Sequence, residues 1–278
     1  MGLLSFCCES SWLIYQTILL IRDFAVDSFL KFSAKPTCER LLNGLAGEPW
    51  NEVSALFVTL VACAALFVWY REGRRDPATL LLCVLAMLIG LGGSVFHHAP
   101  SAATIPFELV PAPLFIVACF ALVLHRVVGL DLLVTALNIA AFVLGLVMIS
   151  MLFPADMLGG GAHYLAPLLA LYIVSAGLIV RARLAMHDDM SLTGLAAARS
   201  DALHFPRLKA GYGLLQAGIL LALALVARAL DAPSCDQFPM GLHWLWHVFG
   251  GLSVGKLLFV CLQFPLEPEQ GRSRMLAQ

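Results

Sequence analysis

Two histidines at helical spacing lie in an apolar stretch of this chain. His243 and His247 are four positions apart within residues 240–260, a run long enough to cross a membrane. Residues at i and i+4 leave the same face of a helix, so both imidazoles could hold one metal ion. Because imidazoles are costly in hydrocarbon, they usually face a cavity and serve a site. The pair therefore predicts half of a metal centre.

The composition places this pair in a membrane protein. Of 278 residues, 60% are hydrophobic and 13% charged, against about 25% charged in soluble domains. The net charge of −1 gives no indication of a nucleic-acid partner. Seven apolar runs have the length of roughly 17 to 25 residues that a bilayer requires: 53–70, 79–96, 106–125, 130–153, 164–180, 208–230 and 240–260. They predict an all-α fold, a seven-transmembrane helical bundle.

The two ends of the chain differ from this bundle. The apolar stretch 12–21 is too short to span a bilayer, and Arg22, Asp23 and Asp27 interrupt its extension. We expect residues 1–36 to form a helix lying in the membrane interface, with an eighth span as the alternative. Residues 37–264 would then form the seven-span domain, and residues 265–278 a cytoplasmic tail.

Basic residues predict the orientation of the bundle. They follow the first, third and fifth spans and are nearly absent from the other connections: Arg71, Arg74, Arg75, Arg126, Arg181, Arg183, Arg199, Arg207 and Lys209. By the positive-inside rule, the odd connections are cytoplasmic. Lys31, Lys35 and Arg40, which precede the first span, oppose this assignment.

Span parity brings several polar residues to one membrane face. These residues end the even spans, begin the odd spans or precede the first span: Glu39, Glu48, Asn51, His97, His98, Glu108, His243 and His247. Incidental polar residues would be divided between both faces. The convergence therefore predicts one site, which the charge rule places on the outer, non-cytoplasmic face.

Three histidines and a water form a common catalytic zinc shell. Zinc lowers the pKa of its water to about 7, and Glu108, at the start of the third span, is the candidate general base. The structural alternative is that the histidines hydrogen-bond between helices and hold the bundle together. In that case Glu108 would extend its carboxylate to the interface.

Four segments in order resemble the alkaline ceramidase family. They are CERLLNGLAGEPWNEVSALF, the SVFHH end of the second span, Glu108 with Pro111, and ARALDAPSCDQFPMGLHWLWH. That family belongs to a wider set of seven-span metal hydrolases that includes the progestin and adiponectin receptors. The resemblance covers the chain from about Cys38 to about Leu257 and leaves residues 1–36 uncovered.

The resemblance implies a zinc ion held by one histidine of the second span and by the HxxxH pair His243 and His247. Two registers are open for the first histidine. The Phe-His dipeptide selects His97 and aligns Glu108 with the family's aspartate, whereas a serine four residues earlier selects His98 through Ser94. We favour His97, because that register also aligns Pro111.

The favoured register exposes two departures from the family. The family's serine falls on Gly93, with Ser94 one residue away, and Glu108 is one methylene longer than aspartate. A carboxylate displaced by about 1 Å can cost roughly a hundredfold in rate. We nevertheless expect Glu108 to act as the base and Ser94 to assist the oxyanion.

The resemblance also implies a calcium ion and a disulfide. Glu39 and Glu48 match two calcium carboxylates, but Pro36 replaces an expected aspartate, so we expect weak or absent calcium binding. The alternative is that Glu48, Trp50 and Asn51 cap the first span. A bridge between Cys38 and Cys235 is expected in an oxidising compartment.

Together these features predict a zinc-dependent amidohydrolase. Its substrate would be a ceramide-like N-acyl membrane lipid, cleaved to a fatty acid and a sphingoid-type amine. Two alternatives remain open: a receptor-like protein that keeps zinc for its architecture, and a transporter whose histidines relay protons. The composition, rich in alanine and leucine, indicates a bacterial inner membrane. The sequence does not determine the oligomeric state.

Overall fold

A computed structural model describes residues 37–43, 47–73, 76–154, 156–188 and 195–264. The predicted interfacial segment 1–36 and the tail 265–278 lie outside the described residues. Within the described part, seven helices are long and apolar enough to cross a membrane: Pro49–Arg71, Pro77–His98, Ile105–Val128, Leu132–Leu152, Ala162–His187, His204–Ser234 and His243–Gln263. The predicted all-α seven-span bundle is confirmed, and the chain is a multi-pass membrane protein.

The described helices follow one another along the chain as α1 (Cys38–Asn43), α2 (Pro49–Arg71), α3 (Pro77–His98), α4 (Ile105–Leu109), α5 (Pro111–Leu122), α6 (Leu132–Leu152), α7 (Leu165–Asp188), α8 (Leu195–Asp231) and α9 (His243–Gln263). A π-helical turn, Val123–Val128, extends α5, and short 3₁₀ turns precede α7 and follow α8. The third span therefore consists of α4, α5 and the π-helical turn.

Three spans have features that the apolar runs did not predict. The third span is divided near Pro111, which has no N–H to continue the hydrogen bonds of α4. The sixth span begins within a longer helix, α8, that has Pro206 in its interior. The seventh helix starts at His243 rather than near residue 240, because Gly241 has a φ of 67°, which a right-handed helix cannot contain.

Small residues let the helices around the histidines approach closely. α2 packs against both α3 and α9, and α8 packs against α7 and α9. Ala55 and Ala62 of α2 are buried. A Cβ at Gly92 of α3 would collide with the carbonyl oxygen of Phe107, so only glycine allows α4 to lie there. This contact positions α4, which carries Glu108.

An ion pair fastens the helices at the opposite end of the bundle. Asp76 caps α3 by accepting a hydrogen bond from the Ala78 N–H, and it pairs with Arg126 of the π-helical turn. Burial raises the pKa of the Asp76 carboxyl, but hydrogen bonds from Arg126 and Thr79 outweigh burial and lower it overall. The ionised carboxylate thus links the second and third spans.

Candidate metal centre

Three buried histidines meet where α3 ends and α9 begins. His97, His243 and His247 are 1%, 5% and 8% exposed. Each offers one ring nitrogen, and these nitrogens all lie within 4.8 Å of one another. After small rotations of the rings, nitrogens this close together can bind one ion at about 2.0 Å from each nitrogen.

His98, the alternative to His97, points away from this cluster. Its side chain is 74% exposed, and its Nδ1 lies 3.2 Å from Oε2 of Glu52. Adjacent residues on a helix are separated by about 100°, so only one of the two histidines can face α9. The structure therefore brings His97, and not His98, to the pair on α9.

The hydrogen bond of His97 leaves its second ring nitrogen with a lone pair for a metal. Nδ1 of His97 lies 3.0 Å from Oε2 of Glu48. Since a carboxylate accepts, Nδ1 donates the proton and Nε2 keeps its lone pair. The Nε2 atoms of His97 and His243 are buried and have no hydrogen-bond partner among the described residues. Buried polar atoms normally have partners, so this donor set fits a bound metal.

Ser54 of α2 orients the third histidine. Its hydroxyl donates to the carbonyl oxygen of Asn51 at 3.1 Å and lies 2.8 Å from Nδ1 of His247. A serine has one hydroxyl proton, so its oxygen accepts from Nδ1–H of His247. This leaves the lone pair on Nε2 of His247 available for a metal. Such partners fix the ring orientation of ligating histidines.

Asp231 holds the start of α9, which carries two of the histidines. Its Oδ1 accepts from the N–H groups of Leu242 at 2.7 Å and His243 at 2.9 Å, and its Oδ2 accepts from Cys38 N–H at 3.2 Å. A carboxylate at a helix N-terminus satisfies free amides and is stabilised by the helix dipole. Gly241 makes this reach possible, because a Cβ there would overlap the Asp231 carboxylate.

The disulfide implied by the resemblance is confirmed. Cys38 and Cys235 are bonded, with their Cα atoms 5.1 Å apart. The bridge joins α1 to the loop between α8 and α9, beside Asp231. Both the covalent bond and the Asp231 hydrogen bonds therefore tie the N-terminal acidic segment to the helix of His243.

Glu48 is the partner of several donors at once. It accepts from Thr37 Oγ1 at 2.7 Å, from Asn51 Nδ2 at 2.8 Å, and from Arg40 Nε at 2.5 Å, in addition to His97. Burial would raise the pKa of the Glu48 carboxyl, but its hydrogen bonds from His97, Thr37 and Asn51 outweigh burial and hold the pKa below its ordinary value. Glu48 is thus a buried carboxylate that orients a histidine.

The two carboxylates that the resemblance aligns with calcium ligands accept hydrogen bonds from the protein. Glu39 accepts from the N–H groups of Trp50 at 2.7 Å and Asn51 at 2.9 Å. It is Glu39, not Glu48, that supplies the side-chain cap of α2, because the Glu48 carboxylate is turned toward His97. The two carboxylates therefore cap α2 and orient His97.

The two residues proposed to act on substrate lie on neighbouring helices. Glu108 is half-buried on α4 and interacts electrostatically with Arg228 of α8. The positive charge of Arg228 also interacts electrostatically with His243 and His247. Ser94 is half-buried on α3, one turn before His97.

Gly93 marks the position where the resemblance places a serine. A Cβ at Gly93 would lie 3.2 Å from the Cβ of Ala55, so α3 packs directly on α2 there. A serine side chain would have to fit into that helix contact. The departure from the family pattern therefore coincides with close packing next to the histidines.

A buried arginine and two aromatic rings border the centre. The guanidinium of Arg228 lies 5.0 Å from the ring centroid of Trp246, and its Nε donates to the carbonyl oxygen of Gly159 at 3.0 Å. The Trp246 ring is also 4.9 Å from that of Tyr164. These aromatic rings connect the histidines with an apolar cavity.

That cavity has a volume of about 140 Å³ and is lined by His247 together with Trp246 and Tyr164. The remaining walls are almost entirely apolar and include Phe115, Phe120, Leu171, Leu214, Leu221 and Leu257. An apolar cavity with one polar side chain of the histidine cluster in its wall is typical of a small-molecule site.

The sequence did not reveal the contact of Ser54 with His247 or that of Asp231 with Cys38. In each case 193 residues separate the two partners. No local spacing signals such pairs.

No protein-family model matches the chain, and no curated protein matches it either.

Proposed function

We propose that the protein is a zinc-dependent hydrolase that cleaves the amide bond of ceramide-like N-acyl lipids within the membrane. One observation carries the proposal: three buried histidines cluster together, and one of them, His247, also lines an apolar cavity. The Nε2 atoms of the other two have no hydrogen-bond partner among the described residues. The centre supports a metal, and the adjoining cavity supports an acyl chain.

Zinc is the metal that best suits this donor set. Three neutral imidazoles with an open fourth position form a common catalytic zinc shell. When bound by His97, His243 and His247, zinc would supply a water of lowered pKa and a Lewis acid for the substrate carbonyl. Glu48 and Ser54 would keep two of the rings in orientation.

The neighbouring side chains would handle protons and charge. Water adds across the amide C–N bond, so one proton must pass from the water to the leaving amine. Glu108 is the candidate for both transfers, because a carboxylate can take a proton and then release it. Ser94 could donate a hydrogen bond to the oxyanion. The products would be a fatty acid and a sphingoid-type amine.

The cavity supports a lipid with an acyl chain as the substrate. Its apolar walls would surround the chain, while Trp246 and Tyr164 flank the amide. By the positive-inside rule, the centre would face the non-cytoplasmic side of a bacterial inner membrane, and the lipid would enter from the outer leaflet. In such a membrane the natural substrate could be an N-acyl lipid other than ceramide.

A lipid panel with metal analysis tests this function. Purified protein with stoichiometric zinc should release fatty acid from at least one ceramide or other N-acyl lipid. Glu108→Gln should lower turnover by roughly 10²- to 10⁴-fold while retaining zinc. Glu52→Gln removes a carboxylate beside the exposed His98 and is the matched control. Turnover unchanged in Glu108→Gln would contradict the assigned base.

A receptor-like protein is the second candidate. Gly93 and Glu108, at the positions of the family's serine and aspartate, favour it. Such a protein would contain zinc and bind the lipid but hydrolyse no amide in the panel. A protein purified without zinc would contradict both candidates and favour the transporter alternative.

A further inference from the structure

A second cavity lies at the end of the bundle opposite the histidines. It has a volume of about 190 Å³ and lies between the π-helical turn, α7 and α8. Its lining combines basic and apolar side chains, chiefly Leu124, Val128, Leu178, Arg181, His204 and Arg207. We call it the basic cavity.

Two helices bring positive charge to the basic cavity. Arg181 comes from α7 and Arg207 from α8, and His204 of α8 also lines the cavity. Arg207 is half-buried, and its Nη2 lies beside Gly129, 3.7 Å from where a Cβ would stand. No acidic residue is found among the described residues that line it. The cavity therefore concentrates positive charge beside apolar walls.

Other arginines at this end have different environments. Arg126 pairs with the buried Asp76, and Arg183 contacts the hydroxyl and ring of Tyr212. Residues that only set membrane orientation need to lie in loops near the interface. Arg181 and Arg207 instead converge on one concave space from two different helices. Orientation alone does not require this convergence.

We propose that the basic cavity binds the phosphate group of an anionic phospholipid. Guanidinium groups match phosphate oxygens in bidentate geometry. Leu124, Val128 and Leu178 would contact the apolar part of the same lipid. Basic pockets between transmembrane helices on the cytoplasmic side are typical sites for such head groups. This proposal is independent of hydrolysis at the metal centre.

Native mass spectrometry of the full chain in detergent tests the site. The protein is titrated with phosphatidylglycerol or with phosphatidylcholine of the same acyl chains. Wild type should retain phosphatidylglycerol preferentially. Each arginine should contribute roughly fivefold, so Arg181→Gln with Arg207→Gln should lose roughly thirtyfold in affinity for phosphatidylglycerol. Its affinity for phosphatidylcholine should fall much less, because the choline cation offsets the charge of that lipid's phosphate.

Arg183→Gln is the matched control, because Arg183 is on the same helix as Arg181 but does not line the cavity. It should bind phosphatidylglycerol like wild type. Replacing both cavity arginines with lysine should retain most of the preference. If the double glutamine variant does not fold, the two single variants should each show the roughly fivefold loss.

Inorganic phosphate separates the two sources of the ligand chemistry. If the lipid is the ligand, millimolar phosphate should not displace phosphatidylglycerol from wild type. Suppose instead that phosphate stabilises the wild type but not the double variant, and that the wild type shows no preference for phosphatidylglycerol. The cavity would then bind a soluble anion, and the lipid proposal would be wrong. No preference for phosphatidylglycerol and no effect of phosphate, or equal losses in Arg183→Gln, would overturn the site altogether.

Discussion

Each end of the bundle has a carboxylate paired with an arginine, but the two pairs have different neighbours. Asp76 and Arg126 pair at the same end of the bundle as the basic cavity. Asp76 also accepts hydrogen bonds from Thr79 and from the first turn of α3. Glu48 and Arg40, at the other end, share the carboxylate with His97. The first pair links two helices, whereas the second also orients a histidine. A buried ion pair thus becomes part of the candidate metal centre through its third partner, His97.

Removal of a histidine at the His97 end of the bundle should have the largest effect, which is loss of zinc. His243→Ala should abolish stoichiometric zinc, because two imidazoles and water hold the metal much more weakly than three imidazoles. Metal analysis of the purified protein measures it. His98→Ala is the control and should keep its zinc, since His98 is exposed and paired with Glu52. Equal zinc in the two variants would contradict the three-histidine centre.

Loss of the orienting carboxylate should have the next largest effect. Glu48→Gln should weaken zinc binding by roughly 10- to 100-fold, because the partner of a ligating histidine tunes its orientation and basicity. Competition with a chelator gives the affinity. Glu52→Gln should leave it unchanged. If the two variants have the same zinc affinity, the contact between Glu48 and His97 does not contribute to zinc binding.

Asp231 separates structural support from metal binding. Asp231→Asn should lower the free energy of unfolding by about 1–3 kcal/mol, because the amides of Leu242, His243 and Cys38 lose a charged acceptor. Thermal unfolding with the disulfide intact measures the effect. Asp236→Asn, on the exposed part of the same loop, should change little. A melting temperature equal to wild type would show that Asp231 does not hold α9.

The smallest effect should be the loss of stability in acid, at the end of the bundle where Asp76 pairs with Arg126. The pKa of Asp76 is lowered in the folded protein, so its pairing stabilises the fold above the ordinary value of 3.8. That contribution is lost as the pH falls below this value, because the unfolded chain then binds more protons. The melting temperature should drop by a few degrees in this range. In Asp76→Asn the drop should be smaller.

The membrane architecture was accessible from the sequence because hydropathy is a local property. A bilayer requires apolar runs of a certain length, and each run can be recognised from its own residues alone. The ends of the helices were less accessible. Gly241 delays α9, and Pro111 divides the third span, through backbone geometry that a hydropathy pattern does not contain.

The sequence by itself determined the seven spans and, through parity, which polar residues share a membrane face. Only the tertiary structure decided between His97 and His98, because the rotation of α3 against α9 sets which ring is buried. It also decided that Glu48 turns to His97, that Ser54 orients His247 and that Asp231 holds α9. These contacts join distant positions through packing, and packing depends on all the helices at once.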